Sequence, residues 1–225
     1  MIKKLTALLL CVAVVLSAGV SAFAMERSIQ PLNDNGSIDN TGRSAELVYE
    51  GAAARVYYGS SGISIVSENG VKHLGTNFSV KKLLVLGDVN GDGYPDFLTW
   101  QNAPDYSAQI MTVSGKDGKV LADLHLTHKG YDDNLGPVEL NSFVQQFLAC
   151  ADGNALIVYD YSIIKVDAKT LEILWTHSST DNIWKAVSTG DIDGDGAEEF
   201  AYTMQQNTVA LISGADGSLI REWHP

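Results

Sequence analysis

Residues Gly87 to Phe97 read GDVNGDGYPDF, and the pattern returns once, at Gly190 to Phe200, as GDIDGDGAEEF. In the first copy Asp88, Asn90 and Asp92 alternate, glycines stand between and after them, and Asp96 closes the run. In the second copy Asp191, Asp193, Asp195 and Glu199 hold the same places. Side-chain oxygens at positions 1, 3, 5 and 9, with the backbone carbonyl of position 7 (Tyr94 or Ala197), make a cage for a hard cation. Calcium takes six to eight oxygens at about 2.3–2.6 Å, and a short loop delivers them only where glycine lets the backbone turn. Asn-Gly and Asp-Gly also open ordinary hairpin turns. The repetition, with an acid at position 9 followed by phenylalanine in both copies, favours two Ca2+ sites over two solvated turns.

The flanks decide which kind of loop this is. An EF-hand carries glutamate at position 12 between two helices, but position 12 is Thr99 in one copy and Tyr202 in the other. The flanking runs LLVLGDV, DFLTW, AVSTGDI and EFAYTM are β-branched and aromatic, and they predict strands. A dockerin also opens with GDVNGDG, yet it requires a following helix and a second copy much nearer than 103 residues away. The stretch resembles the strand–calcium loop–strand hairpin of FG-GAP (VCBS, integrin-α-like) β-propeller repeats. That resemblance implies an all-β propeller with structural calcium.

Four further segments support repetition: IVSENGVKHLG, TVSGKDGKVLADL, KVDAKTLEILWTH and LISGADGSLIREW. Each reads as strand, polar turn, strand. The equivalent residues Val66, Val113, Val166 and Ile212 lie 47, 53 and 46 residues apart. Hairpin repeats of that period are the mark of propeller blades, and the regularity disfavours a plain sandwich. The expected fold is all-β, a β-propeller or partial propeller of about four four-stranded blades, at about 46–76, 80–127, 142–178 and 184–223 within a repeat domain of 46–225. Residues 128–141 are expected to be a non-strand connection. The hairpin ends are also similar to quinoprotein (PQQ-like) blades, whose A-x-T-G-x-x-x-W docks a tryptophan between sheets. Ala168, Thr170 and Trp175 match, Leu171 replaces the glycine, and Arg221 stands at the tryptophan position of unit 4. Unit 3 has ACADGNALIVY where the metal loop would be, and unit 1 has YEGAAARVYY, so both are expected to bind no metal.

Residues 1–24 read as a signal peptide. Lys3 and Lys4 precede the apolar run Leu5 to Leu16, and Ala22-Phe23-Ala24 is an A-x-A cleavage site. An uncleaved anchor is the competing reading. Residues 25–45 are a polar linker. Removal of Lys3 and Lys4 leaves 13 basic against 27 acidic residues, a net charge of −14. Such a surface repels nucleic acid and anionic lipid. Only Cys150 would remain, so no internal disulfide forms, and calcium is the expected staple. The five histidines, His73, His125, His128, His177 and His224, show no metal-site spacing, and the chain has no GxSxG or phosphate loop. Trp100, Trp175, Trp184 and Trp223 are expected between blades.

Two functions follow as expectations. One is an exported, secreted or cell-surface binding or adhesion module that recognises an extracellular protein or glycan through its blade loops, with no membrane insertion after signal cleavage. Such a module would self-associate if its ring is incomplete. The other is part of a propeller enzyme, a polysaccharide lyase or a quinoprotein dehydrogenase. The exported protein should begin at Met25 in an intact-mass measurement; full-length chain held in the membrane would contradict the signal-peptide reading.

Overall fold

The computed structural model describes residues 43–224 except 77, 104–106, 133–135, 141–142 and 205–207. The signal-peptide and linker expectations for residues 1–42 lie outside the described residues. Alternating apolar residues and closely spaced turns produce four antiparallel four-stranded sheets, each a meander in chain order. Blade 1 holds β1 (Ser44–Tyr49), β2 (Ala52–Gly59), β3 (Gly62–Ser67) and β4 (Gly70–Leu74). Blade 2 holds β5 (Lys82–Val85), β6 (Phe97–Asn102), β7 (Ala108–Val113) and β8 (Val120–Leu126). After β9 (His128–Asp132) and β10 (Gly136–Leu140), blade 3 holds β11 (Val144–Ala149), β12 (Ala155–Tyr159), β13 (Ser162–Val166) and β14 (Ile173–Ser178). Blade 4 holds β15 (Ile183–Gly190), β16 (Glu199–Met204), β17 (Val209–Ile212) and β18 (Leu219–Trp223).

One expectation is corrected here. The segment between blades 2 and 3 is not free of strands, because β9 and β10 pair antiparallel as a separate hairpin, from Leu140 opposite His128 to Gly136 opposite Asp132. Glycine, proline and paired acids disguise that hairpin in the sequence, since they are poor strand formers.

The sheets stack through three cores. Val56, Ile63 and Ile65 of blade 1 meet Phe97, Met111 and Val113 of blade 2. Leu98, Trp100 and Ile110 meet Ala155, Ile157 and Val166 of blade 3. Leu156, Val158 and Trp175 meet Phe200, Tyr202 and Ile212 of blade 4. The first strands follow one another along one side, β1 against β5, β5 against β11 and β11 against β15. Among the described residues no fourth core joins blade 4 back to blade 1. Trp100 and Trp175 are interior as expected, but Trp184 and Trp223 are 57% and 41% exposed, on a blade with no core on its far side.

Blades 2, 3 and 4 end in the same device. The turn after the third strand is closed by paired backbone bonds, Gly118 N–H to Ser114 O, Leu171 N–H to Asp167 O and Gly217 N–H to Ser213 O, each 2.9 Å. The closing residue has positive φ each time, +77° at Gly118, +58° at Leu171 and +75° at Gly217. Leu171 bears that strain while its side chain is buried in the core between blades 2 and 3. At Gly217 glycine is required twice over, because an added Cβ would lie 2.6 Å from the Trp175 ring of blade 3. Gly217→Ala should therefore cost about 2–4 kcal/mol by urea denaturation. Gly153→Ala, where φ is +84° and a Cβ meets nothing, should cost about 1 kcal/mol. Equal losses would contradict the docking role of Gly217.

Candidate metal centre

Both acidic loops join the first and second strands of their blades, one between β5 and β6 and the other between β15 and β16. Their backbones repeat. Asp88 accepts the N–H groups of Gly91 at 2.7 Å, Asp92 at 3.0 Å and Gly93 at 2.7 Å. Asp191 accepts those of Gly194 at 2.7 Å and Gly196 at 3.1 Å. Asp92 takes the N–H of Tyr94, and Asp195 takes that of Ala197. These amides, that of Gly93 first, hold the Asp88 carboxyl below its ordinary range. The position-1 acid thus winds the loop around itself and leaves the position-5 acid, and in blade 4 also Asp193, toward its rim.

The position-9 acid anchors each loop. Asp96 is fully buried. It accepts N–H groups from Val89 at 3.1 Å, Asn90 at 3.3 Å and Gly115 at 3.2 Å, the last from the turn between β7 and β8. Burial nevertheless pushes its carboxyl up, so an anionic Asp96 is costly without a cation nearby. Glu199 is also fully buried. One of its oxygens accepts the Ile192 N–H at 2.5 Å, and the other, Oε1, is buried with no hydrogen-bond partner. A buried carboxylate oxygen left without a donor is expensive.

In blade 4, carboxylate oxygens of Asp191, Asp193, Asp195 and Glu199 lie within 4.8 Å of one another. Such a group could hold a metal ion: a hard divalent cation would neutralise the four acids and satisfy Glu199 Oε1. In blade 2 the convergence is looser, and no group of three acids comes that close. Instead Asn90 Nδ2 points at Asp92 Oδ2 (3.3 Å) and at Asp96 Oδ1 (3.5 Å), a donor in the space a cation would use. Ligation there requires the Asn90 amide to turn its oxygen inward. The Tyr94 ring leans on Tyr49 of blade 1, with centroids 5.4 Å apart.

Blade 3 builds the same hairpin differently. Asp152 pairs at 2.8 Å with Lys165 Nζ, which also donates to Gly214 O at 2.9 Å. Burial works against the Asp152 anion, but the Lys165 contact and the Asn154 bonds prevail and hold its carboxyl low. Lys165 is a buried lysine of β13, and it supplies from the protein the positive charge that the acidic loops would take from solution. Sequence reading missed it, because one lysine in the strand SIIKV carries no motif. Glu198 was missed as well. It accepts the Ala151 N–H of blade 3 and the Ser188 hydroxyl of its own blade.

A second signal lies in the turns. An added Cβ at Gly115 would sit 1.9 Å from Pro95 O, and at Gly214 1.7 Å from Glu198 O. The matching turn residue is Ala168 in blade 3 and Glu68 in blade 1, neither of which carries the acidic loop. Glycine stands there only where the acidic loop comes down against the turn. Elsewhere, burial pushes the Cys150 thiol up to about 12, so it is unreactive as a nucleophile near neutral pH. His177 bridges Gly217 O and the Tyr202 hydroxyl, and burial lowers its pKa.

Replacing Asp152 by Ala leaves the Lys165 ammonium buried without its carboxylate. The loss should be about 1–3 kcal/mol, below that of a fully buried pair because Asp152 is half-exposed. Calcium stoichiometry should not change. Denaturant melts beside a calcium titration check this, and loss of a calcium equivalent would contradict the assignment of blade 3.

Comparison with family profiles finds no match, and neither does comparison with curated protein sequences. Among solved structures, BBS1N in complex with ARL6DN is similar at TM-score 0.59 and 9% identity, over 87% of this chain and 61% of that one. The quinohemoprotein alcohol dehydrogenase ADHIIG from Pseudomonas putida HK5 is similar at TM-score 0.52 and 11% identity, over 76% and 33%. Chaetomium thermophilum Sqt1, bound to the N-terminus of ribosomal protein L10, is similar at TM-score 0.51 and 13% identity, over 84% and 51%. The chain thus spans from a third to about three-fifths of the structures it matches, and what it shares with them is the β-propeller architecture.

Proposed function

We propose that the chain is an exported, calcium-braced propeller segment that binds an extracellular protein or glycan through its blade loops. The observation that carries the calcium reading is Glu199. It is a buried acid with an orphaned oxygen, in a loop where three more carboxylates gather within 4.8 Å. The recognition role rests on the fold and on two of the similar structures, each of which holds a protein partner. The similarity to an alcohol dehydrogenase favours a second reading, a module of a propeller enzyme. Absorbance of the purified protein for a bound quinone, and a screen on acidic polysaccharides, separate the two.

Calcium here is structural. Extracellular calcium modules bind at about 10⁻⁴–10⁻³ M. With millimolar calcium and a dissociation constant near 0.1 mM, linkage contributes about 1.4 kcal/mol per site. Without the ion, the gathered carboxylates repel one another and the hairpin loosens. Calorimetric titration should find two sites, with blade 4 the tighter because it offers four carboxylates against three and an amide. Chelation should lower the melting temperature, and Asp195→Ala should remove more of the calcium-dependent part than Asp92→Ala. A melt unmoved by chelator would defeat the calcium reading.

A further inference from the structure

Two lysines close on one ring where the acidic loop of blade 2 meets blade 1. Lys72 Nζ of β4 lies 5.1 Å from the centroid of the Tyr94 ring, and Lys116 Nζ, from the turn between β7 and β8, lies 5.6 Å from it. Lys72 also donates to the Tyr49 hydroxyl at 2.5 Å, and that hydroxyl donates onward to Gly115 O at 2.9 Å. Among the described residues neither ammonium group has an ion-pair partner, whereas the neighbouring Lys119 is paired with Asp117 at 2.6 Å. A ring face attracts a cation, but two cations drawn to one ring repel each other. In a chain of formal net charge −12, positive charge is concentrated here without a counter-ion.

The fold does not demand that charge. Lys72 stands opposite Ile65 as Trp175 stands opposite Lys165, and Lys116 holds the turn position of Ala215. The junction between blades 3 and 4 is thus built with an indole and a methyl group at these two places, and Trp175 itself bonds Gly214 O. Between blades 1 and 2 the Tyr49 hydroxyl makes the matching bond, and the Lys72 ammonium keeps donors to spare.

Lys72 borders a cleft of about 80 Å³ that Tyr49, Glu50, Ser67 and Asn69 also line. That volume admits a substituent rather than a chain. Glu50 and Asn69 are exposed, and Glu50 makes no ion pair with Lys72 among the described residues. The cluster therefore offers ammonium donors for an anion beside a carboxylate and an amide that accept from hydroxyl groups. A sugar acid carries both kinds of partner. A polyanion would meet Glu50 and the field of the acidic loops, and an acidic peptide brings carboxylates without the hydroxyls.

We propose that Lys72 and Lys116 hold the carboxylate of a single acidic sugar on an otherwise neutral glycan, with Glu50 and Asn69 accepting from its hydroxyls. This rests on the reading of the chain as a recognition module and names the ligand class of one loop cluster.

NMR titration of the chain in millimolar calcium tests it, with three probes: a glucuronate-terminated trisaccharide, its glucose-terminated counterpart, and a peptide of Asp and Glu. The acidic sugar should bind at least about 10-fold more tightly than the neutral one, since its carboxylate gains charge-assisted bonds. Lys116→Gln, at an exposed turn position, should keep the wild-type melting temperature and bring the acidic sugar down to the affinity of the neutral one. Lys72→Gln should do the same to the affinity. A chain that binds neither sugar, or that prefers the peptide, overturns the proposal. So does an acidic sugar bound equally well by both variants, and in that case the chain still recognises a glycan, so the site fails while the recognition role stands.

Discussion

The first hairpin of a blade must come down on the turn that follows its third strand, and in blades 2 and 4 it does so backbone against backbone. Pro95 O lies where a Cβ of residue 115 would be, and Glu198 O where a Cβ of residue 214 would be. That approach buries the next residue, Asp96 or Glu199, and sets Phe97 or Phe200 against the same glycine. A carboxylate at the foot of the loop is thereby taken from water. Its charge has to be met by backbone N–H groups, by a side-chain cation or by a metal ion.

The blades meet that demand in different ways. Blade 3 keeps Asp152 half-exposed and gives it Lys165. Blade 2 gives Asp96 three backbone N–H groups and places the Asn90 amide inside its loop. Blade 4 gathers four acids and leaves Glu199 Oε1 without a donor. Blade 1 avoids the problem with a short turn at Glu50 and Gly51, both at positive φ. One hairpin geometry therefore tolerates several electrostatic solutions, and the demand for an added cation is greatest in blade 4.

Much of this is legible in the sequence because local rules and the global fold agree. The period of the hairpins, the strand flanks of GDVNGDGYPDF and the turns SGKDG and SGADG each point to four-stranded blades. What was not legible depends on neighbours distant in sequence. Lys165 becomes a counter-ion only because the Cys150–Asn154 turn lies over it. Trp184 and Trp223 read as core residues by type, yet among the described residues no core covers the far side of blade 4. Gly130, Asp132, Asp133, Asn134, Gly136 and Pro137 outnumber the strand formers Tyr131 and Val138 in residues 128–140, and pairing between β9 and β10 overrides that local preference. The glycines at 115 and 214 were visible as turn formers, but their close approach to the acidic loops was not.

Native-state amide exchange tests the central claim most directly, since the loop amides report their own hydrogen bonds. With calcium, the amides of Ile192, Gly194 and Gly196, and of Val89, Gly91 and Gly93, should exchange slowly. Chelator should speed them in both loops and leave Gly153 and Asn154 of blade 3 unchanged. If chelator leaves the two acidic loops as protected as before, or loosens blade 3 equally, a cation is not what organises these hairpins.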